Sequence, residues 1–362
     1  MGKRVYNFYA GPATLPLAAL KEAKKELLDF RGTGMSVCEI SHRAKDFQAV
    51  IDEATALIKE IYALPAHFHV LWLQGGASTQ FFHVPWNLAL EGKPMAYVNT
   101  GSWASAAIKE AKFFGEVKVV ASSEDANFFY IPRKFEMVPN ASYLHITSNE
   151  TIGGIEWIEF PDPGNIVPLV VDASSDFLSH PIDWTKIGLL YGGAQKNLGP
   201  AGVTVVIIRN DLVERVRAKK LPTMVSYATH VDKGSMHNTP PCFAIYLSML
   251  ALRDLKEKGG LSYIEKLNKK KSKLLYKLID SSNGFYKGVV RLDSRSRMNV
   301  TFRLPTEQLE EKCVAEAKAK GFIGLKGHRS VGGMRASLYN AMPLKGVKAL
   351  AEFLLEFQKA NS

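Results

Sequence analysis

Between residues 68 and 208 the chain returns again and again to one pattern, a short and almost wholly apolar run followed by turn residues or a helical stretch. The runs are FHVLWL, PMAYVN, VKVV, SYLHIT, IVPLVV, IGLLY and VTVVII. A strand with one wet face alternates apolar and polar residues, and these runs do not. They are therefore predicted as strands covered on both faces, which requires a mostly parallel sheet wrapped by helices, an α/β fold.

Helical periodicity frames the runs. Phe47, Val50, Ile51, Ala54, Leu57, Ile58 and Ile61 predict a long amphipathic helix over 44–62. Helical patterns resume at 240–258 and 261–280, weaker strand signals follow at 298–303 and 334–339, and a last helix is expected at 344–360. That tail reads as a smaller α+β unit. With Lys258-Gly259-Gly260 as a hinge, the expected division is a large unit at 17–255 and a small one at 256–362, joined by the N-terminal arm 1–16.

Composition removes other classes. With 46% hydrophobic and 10% aromatic residues in 362, the chain fills a core and is not disordered. Cys38, Cys242 and Cys313 form no CxxC or metal-like spacing, which argues against a disulfide scaffold or a zinc module; no metal is expected. The apolar runs are far short of the ~20 residues that cross a bilayer. The first residues carry no continuous apolar region, so the expected compartment is the reducing cytoplasm. Asn149-Glu150-Thr151 and Asn299-Val300-Thr301 match the glycosylation pattern, which has no consequence without secretion.

The formal charge of +11 and the run Lys266–Lys273 (KLNKKKSK) invite a nucleic-acid reading. Ile264, Leu267, Leu274, Leu275 and Leu278 recur around that run at helical spacing, so its lysines are expected on the wet face of an amphipathic helix.

Ligands of open parallel sheets bind beyond the carboxyl ends of the strands, and the residues there form a set. Gly75-Gly76-Ala77-Ser78-Thr79 leads into a helical stretch, where free N–H groups suit a phosphate; a plain strand-to-helix turn is the alternative. Thr100-Gly101-Ser102-Trp103 puts an aromatic on a loop tip, able to stack on a planar ligand or to cap the core. Ser148-Asn149-Glu150-Thr151 follows another run. Asp172 ends an apolar strand and needs a cationic partner such as a protonated pyridine nitrogen, or else serves as a helix N-cap. Lys196 lies among glycines and apolar groups, where desolvation frees its amine to attack an aldehyde. Gly192, Gly193 and Gly199 allow a bulky ligand to approach the backbone. Phosphate cradle, ring clamp, pyridinium partner and amine together are what pyridoxal 5′-phosphate needs. A second, cationic cluster of His42-Arg43, His328-Arg329 and Arg335 points to a substrate with more than one acidic group.

The motifs NFYAGPATLP, SHR, QGGAS, TGSW, NETI, DASSDF, GGAQKNLGPAG, HNTPP and GHRSVGGMRASLYNA run nearly end to end. In them the chain resembles the phosphoserine aminotransferases, a branch of the class V pyridoxal-phosphate-dependent aminotransferases with the aspartate-aminotransferase-like fold type I. The resemblance implies that Lys196 bonds the cofactor aldehyde, Asp172 pairs with the pyridinium nitrogen and Trp103 stacks on the ring. Gly76, Ala77 and Gln195 would hold the phosphate and Thr151 would meet the ring hydroxyl side. Asn238 and Thr239 would complete the phosphate site of a neighbouring subunit, implying a homodimer with a shared active site. His42, Arg43, His328 and Arg329 would bind the substrate phosphate or the distal carboxylate of glutamate, and Arg335 the α-carboxylate. The implied reaction passes the amino group of glutamate to 3-phosphohydroxypyruvate, giving phosphoserine for serine biosynthesis, with a related step of pyridoxine biosynthesis as a further use. Some members have Arg where this chain has Ala77, so a side-chain contact from there to substrate is not expected. The alternatives are a cysteine desulfurase, which needs a mobile nucleophilic Cys, and a basic nucleic-acid-binding protein.

Overall fold

The structure, a computed structural model, describes residues 4–164 and 167–362. Met1 to Lys3 of the expected arm and Ile166, the first residue of the IVPLVV run, lie outside the described residues. The expected runs form one seven-stranded sheet: β1 (Phe68–Leu73), β2 (Met95–Asn99), β3 (Val117–Ser122), β4 (Leu144–Thr147), β5 (Leu169–Asp172), β6 (Ile187–Gly193) and β7 (Thr204–Arg209). Their order is β1-β7-β6-β5-β4-β2-β3. Neighbours are parallel except at β7, which is antiparallel to both β1 and β6.

The helices that position the site are α1 (Lys45–Ile61), α2 (Gly76–Leu88), α3 (Ser102–Ala111), α4 (Cys242–Glu257), α5 (Gly260–Asp280) and α6 (Leu344–Asn361). Side chains of the inner strands alternate between two cores; the expected VKVV run instead forms the sheet edge β3, where Lys118 and Val119 are exposed and no residue is buried, because among the described residues no further strand or helix covers it. Phe68, Val70 and Trp72 of β1 join α1 and α4 on one face, while Leu71 and Leu73 join α2 and α3 on the other. Away from that edge neither face is wet, which is why the inner runs show no polar alternation. Burial of each Val, Ile or Leu contributes about 1.5–3 kcal/mol, and the sheet leaves no cheap place for a charge except its edges.

The reversal of β7 decides where the chemistry falls. β1, β2, β4, β5 and β6 all end at the same edge, and the Ala194–Val203 connection turns back there into β7.

Beyond Lys258-Gly259, which separates α4 from α5, β8 (Lys287–Gly288), β9 (Asn299–Arg303) and β10 (Met334–Ser337) form an antiparallel sheet. Leu275, Leu278, Val300, Phe302, Ala336, Leu350 and Phe353 make a second core there, with Phe8 of the N-terminal segment inside it. Tyr6–Asn7 pairs in parallel with Phe322–Ile323.

One expectation is corrected. Lys266, Lys269, Lys270 and Lys273 of α5 are exposed, but Lys271 is fully buried. Its Nζ donates to the carbonyls of Leu338 (2.5 Å), Tyr339 (2.8 Å) and Met342 (3.2 Å). The turn between β10 and α6 points these carbonyls inward, and an ammonium has three N–H groups to meet them. One turn earlier, the buried Asn268 donates to Asn340 Oδ1 (2.8 Å). Burial pushes Lys271 down to about 7, while the three acceptors favour the charged form. Lys271→Met leaves the Leu338 and Met342 carbonyls without donors, while the Tyr339 carbonyl keeps Met342 N–H (2.9 Å), and is expected to lower the unfolding free energy by at least ~2 kcal/mol, read from urea titration. A loss below ~1 kcal/mol would mean that the carbonyls find other partners.

Candidate active site

After β1 the chain turns through Gly75 (φ 90°) and Gly76 (φ 69°) into α2. A Cβ on Gly75 would stand 2.1 Å from Thr79 Cγ2, and Thr79 Oγ1 donates to the Gly76 carbonyl (2.8 Å). Only glycine fits. The N-terminus of α2 has no side-chain cap and no acidic residue in its first turn, so the amides of Gly76 and Ala77 and the positive end of the dipole face an open space.

Lys196 lies half-buried in the β6–β7 connection. Its Nζ donates to Thr151 Oγ1 (2.6 Å) and stands 5.2 Å from the centre of the Trp103 ring. Burial lowers its pKa, against the opposing pull of Asp172 and Glu150. The loop is fastened on several sides. Asn197 donates to the Phe177 carbonyl (2.5 Å) and its Oδ1 accepts from Asn340 N–H (2.7 Å). Ala13 N–H donates to the Gln195 carbonyl (2.9 Å), and a Cβ on Gly11 would lie 3.2 Å from Lys196 Cγ. The Gln195 amide folds over Gly193, whose missing Cβ would be 2.5 Å from Gln195 Oε1.

Asp172 is buried at the end of β5, and its Oδ1 accepts from Ser174 Oγ (2.6 Å) and Ser174 N–H (3.0 Å). No helix follows it, so the N-cap alternative falls. Burial raises its pKa, and Ser174 and Lys196 only partly offset this. Among the described residues its second oxygen has no protein donor. A ring nitrogen carrying a proton fits that vacancy in chemistry and charge.

Sequence reasoning passed over a second buried carboxylate. Glu150, 1% exposed, accepts from Ala104 N–H (2.8 Å) and Trp103 N–H (3.2 Å). Trp103 is therefore not on a loop tip but in the first turn of α3, half-buried, with its indole N–H unpartnered. The NETI motif contained the signal: an acid in a strand-end segment that also supplies Thr151.

Arg335 on β10 reaches across to the Thr151 carbonyl (3.2 Å), and its buried Nε has no partner. It lines a cavity of about 290 Å³ with Thr100, Ser102, Phe128 and Ile152. His328 and Arg329 sit in the loop before β10. His328 Nδ1 meets Ser330 Oγ (2.7 Å), and burial together with the charges of Arg335 and Arg329 lowers its pKa. The structure thus gathers Lys196, Thr151, Trp103, Asp172 and Arg335. It does not bring in His42 and Arg43, which precede α1 and make no polar contact with this group among the described residues. Asn238 and Thr239 lie near the surface, where the Thr239 carbonyl accepts from Gln74 (3.1 Å). Cys38 is exposed, Cys242 opens α4 and Cys313 is buried; none lines the cavity beside Arg335.

A desolvated lysine on the same sheet edge as a buried strand-end carboxylate and an uncapped helix N-terminus, on a sheet of this order, has the make-up of a pyridoxal-phosphate-dependent enzyme of fold type I. The family model for class V aminotransferases matches residues 5–350, and the chain belongs to that family, in its phosphoserine aminotransferase branch. It is 56% identical over 363 residues to a phosphoserine aminotransferase of Desulfatibacillum aliphaticivorans and 53% identical to that of Desulfosudis oleivorans, each match covering 100% of both chains. Among solved structures, the phosphoserine aminotransferase from Bacillus circulans subsp. alkalophilus superposes with a TM-score of 0.96 at 50% identity, covering 99% of each chain. A pyridoxal-phosphate-bound phosphoserine aminotransferase from Trichomonas vaginalis has a TM-score of 0.92 at 40% identity, covering 97% of this chain and 100% of its own. The cofactor is pyridoxal 5′-phosphate.

Burial pushes the Glu150 carboxyl up to about 7, against the pull of the two amides. An acid raised in the folded state contributes stability that is complete below pH ~4.5 and is lost as the pH rises through ~7. Glu150→Gln removes that dependence. Urea unfolding of the cofactor-free protein is expected to weaken by ~2–3 kcal/mol less in the variant than in the parent between pH 5 and 8. Parallel pH profiles would refute the assignment.

Proposed function

We propose that this chain moves an amino group between L-glutamate and 3-phosphohydroxypyruvate, giving 2-oxoglutarate and O-phospho-L-serine, as L-serine synthesis requires. One juxtaposition carries the reading: the Lys196 amine, held by Thr151 and faced by the Trp103 ring, shares the sheet edge with the Asp172 carboxylate and the uncapped start of α2.

Each group has a task in this reading. Gly76, Ala77 and Gln195 hold the cofactor phosphate, and Asn238 and Thr239 of a second copy complete its shell. Trp103 covers the ring, Thr151 meets its hydroxyl side, and Asp172 keeps a proton on the ring nitrogen, which gives this buried carboxylate the cation it lacks. When bound, the cofactor supplies an electron sink for the pair released as the substrate Cα–H bond breaks. Lys196 Nζ moves that proton, and burial, by lowering its pKa, favours the free amine over the ammonium. The guanidinium of Arg335 orients the α-carboxylate, with its unpartnered Nε as one donor.

Both amino donor and product are dianions, so one cationic subsite serves both. His328 and Arg329 come from the loop before β10, and the half-buried His42 and exposed Arg43 reach it only across an interface between two copies. A homodimer with shared active sites follows from the same reading. The phosphorylated 2-oxo acid of the 4-phosphohydroxy-threonine step of pyridoxine biosynthesis has the same two anionic ends and fits as well. The division into 17–255 and 1–16 with 256–362 places the cofactor groups on the first unit and Arg335 on the second. Three free thiols suit a reducing cytoplasm.

The test is the visible spectrum. The wild-type protein with pyridoxal 5′-phosphate is expected to show the absorption band of a lysine-bound cofactor, glutamate to bleach it, and Lys196→Ala to lack it; a colourless wild type refutes the reading. Arg335→Lys is expected to lower kcat/KM for glutamate and phosphoserine alike, by ~10-fold or more. Loss confined to one substrate would remove Arg335 from the α-carboxylate.

A further inference from the structure

α3 begins without a capping side chain. Its N-cap residue is Gly101, and its first turn contains no acid, so its leading amides need an acceptor from elsewhere. Glu150 supplies it from the β4 side, one carboxylate oxygen to Trp103 N–H and the other to Ala104 N–H. The fit is close: a Cβ on Gly101 would lie 2.6 Å from Glu150 Cδ and 2.8 Å from Oε2. Glycine at 101 leaves the room this carboxylate occupies. The next residue along the Glu150 strand end, Thr151, holds the Lys196 amine, and Trp103 is the ring that faces that amine at 5.2 Å.

We propose that Glu150 is a positioning residue of the active site, seating the first turn of α3 so that the Trp103 ring lies at the height a cofactor ring requires above Lys196. The inference rests on the cofactor reading given above. Glu150 touches neither cofactor nor substrate; it acts through two backbone amides. As a carboxylate at a helix N-terminus it is also favoured by the dipole, which offsets part of its burial. The segment from Asn149 to Thr151 therefore sets both sides of the ring slot, the amine below and the aromatic above.

The experiment has two parts. Hydrogen exchange of the cofactor-free protein is expected to show protected amides at Trp103 and Ala104, with Glu150→Ala accelerating them by ~10-fold or more while amides of α4 and α6 stay unchanged. Acceleration everywhere, or nowhere, overturns the seating role and leaves the cofactor reading untouched. The second part is a double-mutant cycle on the dissociation constant of pyridoxal 5′-phosphate, using Glu150→Ala, Trp103→Ala and the pair. Glu150→Ala is expected to weaken binding by ~10-fold in the parent and by less than ~2-fold in the Trp103→Ala background. Independent, multiplying losses overturn the proposal. Should Glu150→Ala not fold, Gly101→Ala takes its place in the cycle, because its Cβ displaces the same carboxylate. Glu150→Gln, which can accept from only one of the two amides, is expected to fall between wild type and Glu150→Ala.

Discussion

The active centre depends on a constraint of charge burial. An amine at 196 can be kept out of water only if opposite charge is near, and carboxylates at 172 and 150 can be kept out of water only if donors are near. Each answers part of the other's need and none is fully satisfied. Asp172 has Ser174 and a share of Lys196; Glu150 has two helix amides and a smaller share. The remaining imbalance is one unanswered carboxylate oxygen at the end of β5. On the proposed reading a pyridinium closes that gap, and affinity for the cofactor would then follow from how the polypeptide leaves its own charges. The sheet makes the arrangement possible because its parallel strands all end at one edge while its faces stay apolar.

A second set of buried polar groups ties the small sheet to that edge. Asn149 donates to Ser175 Oγ and to Asn299 Oδ1, both at 2.7 Å, and accepts from Ser296 Oγ at 2.6 Å. Asn299 in turn donates to Ser337 Oγ (3.0 Å), next to Ala336 and Arg335. Tyr339 donates to the Ala10 carbonyl (2.7 Å), and Asn340 meets both Asn197 and the Leu178 carbonyl. Lys271 holds the same 338–342 turn from behind. Arg335 is thereby fixed relative to Lys196 through direct side-chain and backbone hydrogen bonds, and breaking one strands a buried partner. Asn149 and Asn299, the two sequence matches to a glycosylation site, bond each other in this core, where no glycan could be carried.

Much of this was legible in the sequence, and for physical reasons. Continuous apolar runs mark the strands of a mostly covered sheet, whereas the reversal of β7 and the exposure of the edge strand β3 are set by neighbours that the runs themselves do not show. Lys196 and Asp172 stood out because charge in apolar surroundings is rare and costly. Lys271 and Glu150 were not legible. Lys271 shares its run with four exposed lysines and differs from them only in facing three carbonyls that a distant turn delivers. Glu150 follows an apolar run as Asp172 does, but its partners are backbone amides of a helix some 46 residues earlier, and backbone donors leave no trace in residue identity. The placement of Trp103 was missed for the same reason, since a glycine N-cap gives no sign that the cap comes from another strand.

The cationic residues mark the limit of what one chain contains. Arg335 is half-buried against Thr151, whereas His42 and Arg43 make no contact with the Lys196 group among the described residues. Ala77 offers no side-chain charge beside the cradle, so the phosphate site must rely on backbone amides and on groups brought from elsewhere. In the proposed reading a dianionic substrate puts its α-carboxylate on Arg335, in the cavity that the loop residues Gly327, Ser330, Val331 and Gly332 also line. Two anionic ends held by a single chain would leave the outer one against a loop largely open to water, where a surface ion pair contributes little. In the proposed homodimer, cations from a second copy would close over that loop and lower the local dielectric, giving the outer end the same kind of desolvated partner that the proposal assigns to Arg335 at the inner one. On the proposed reading, the two acidic groups of the substrate and the second subunit have one physical origin.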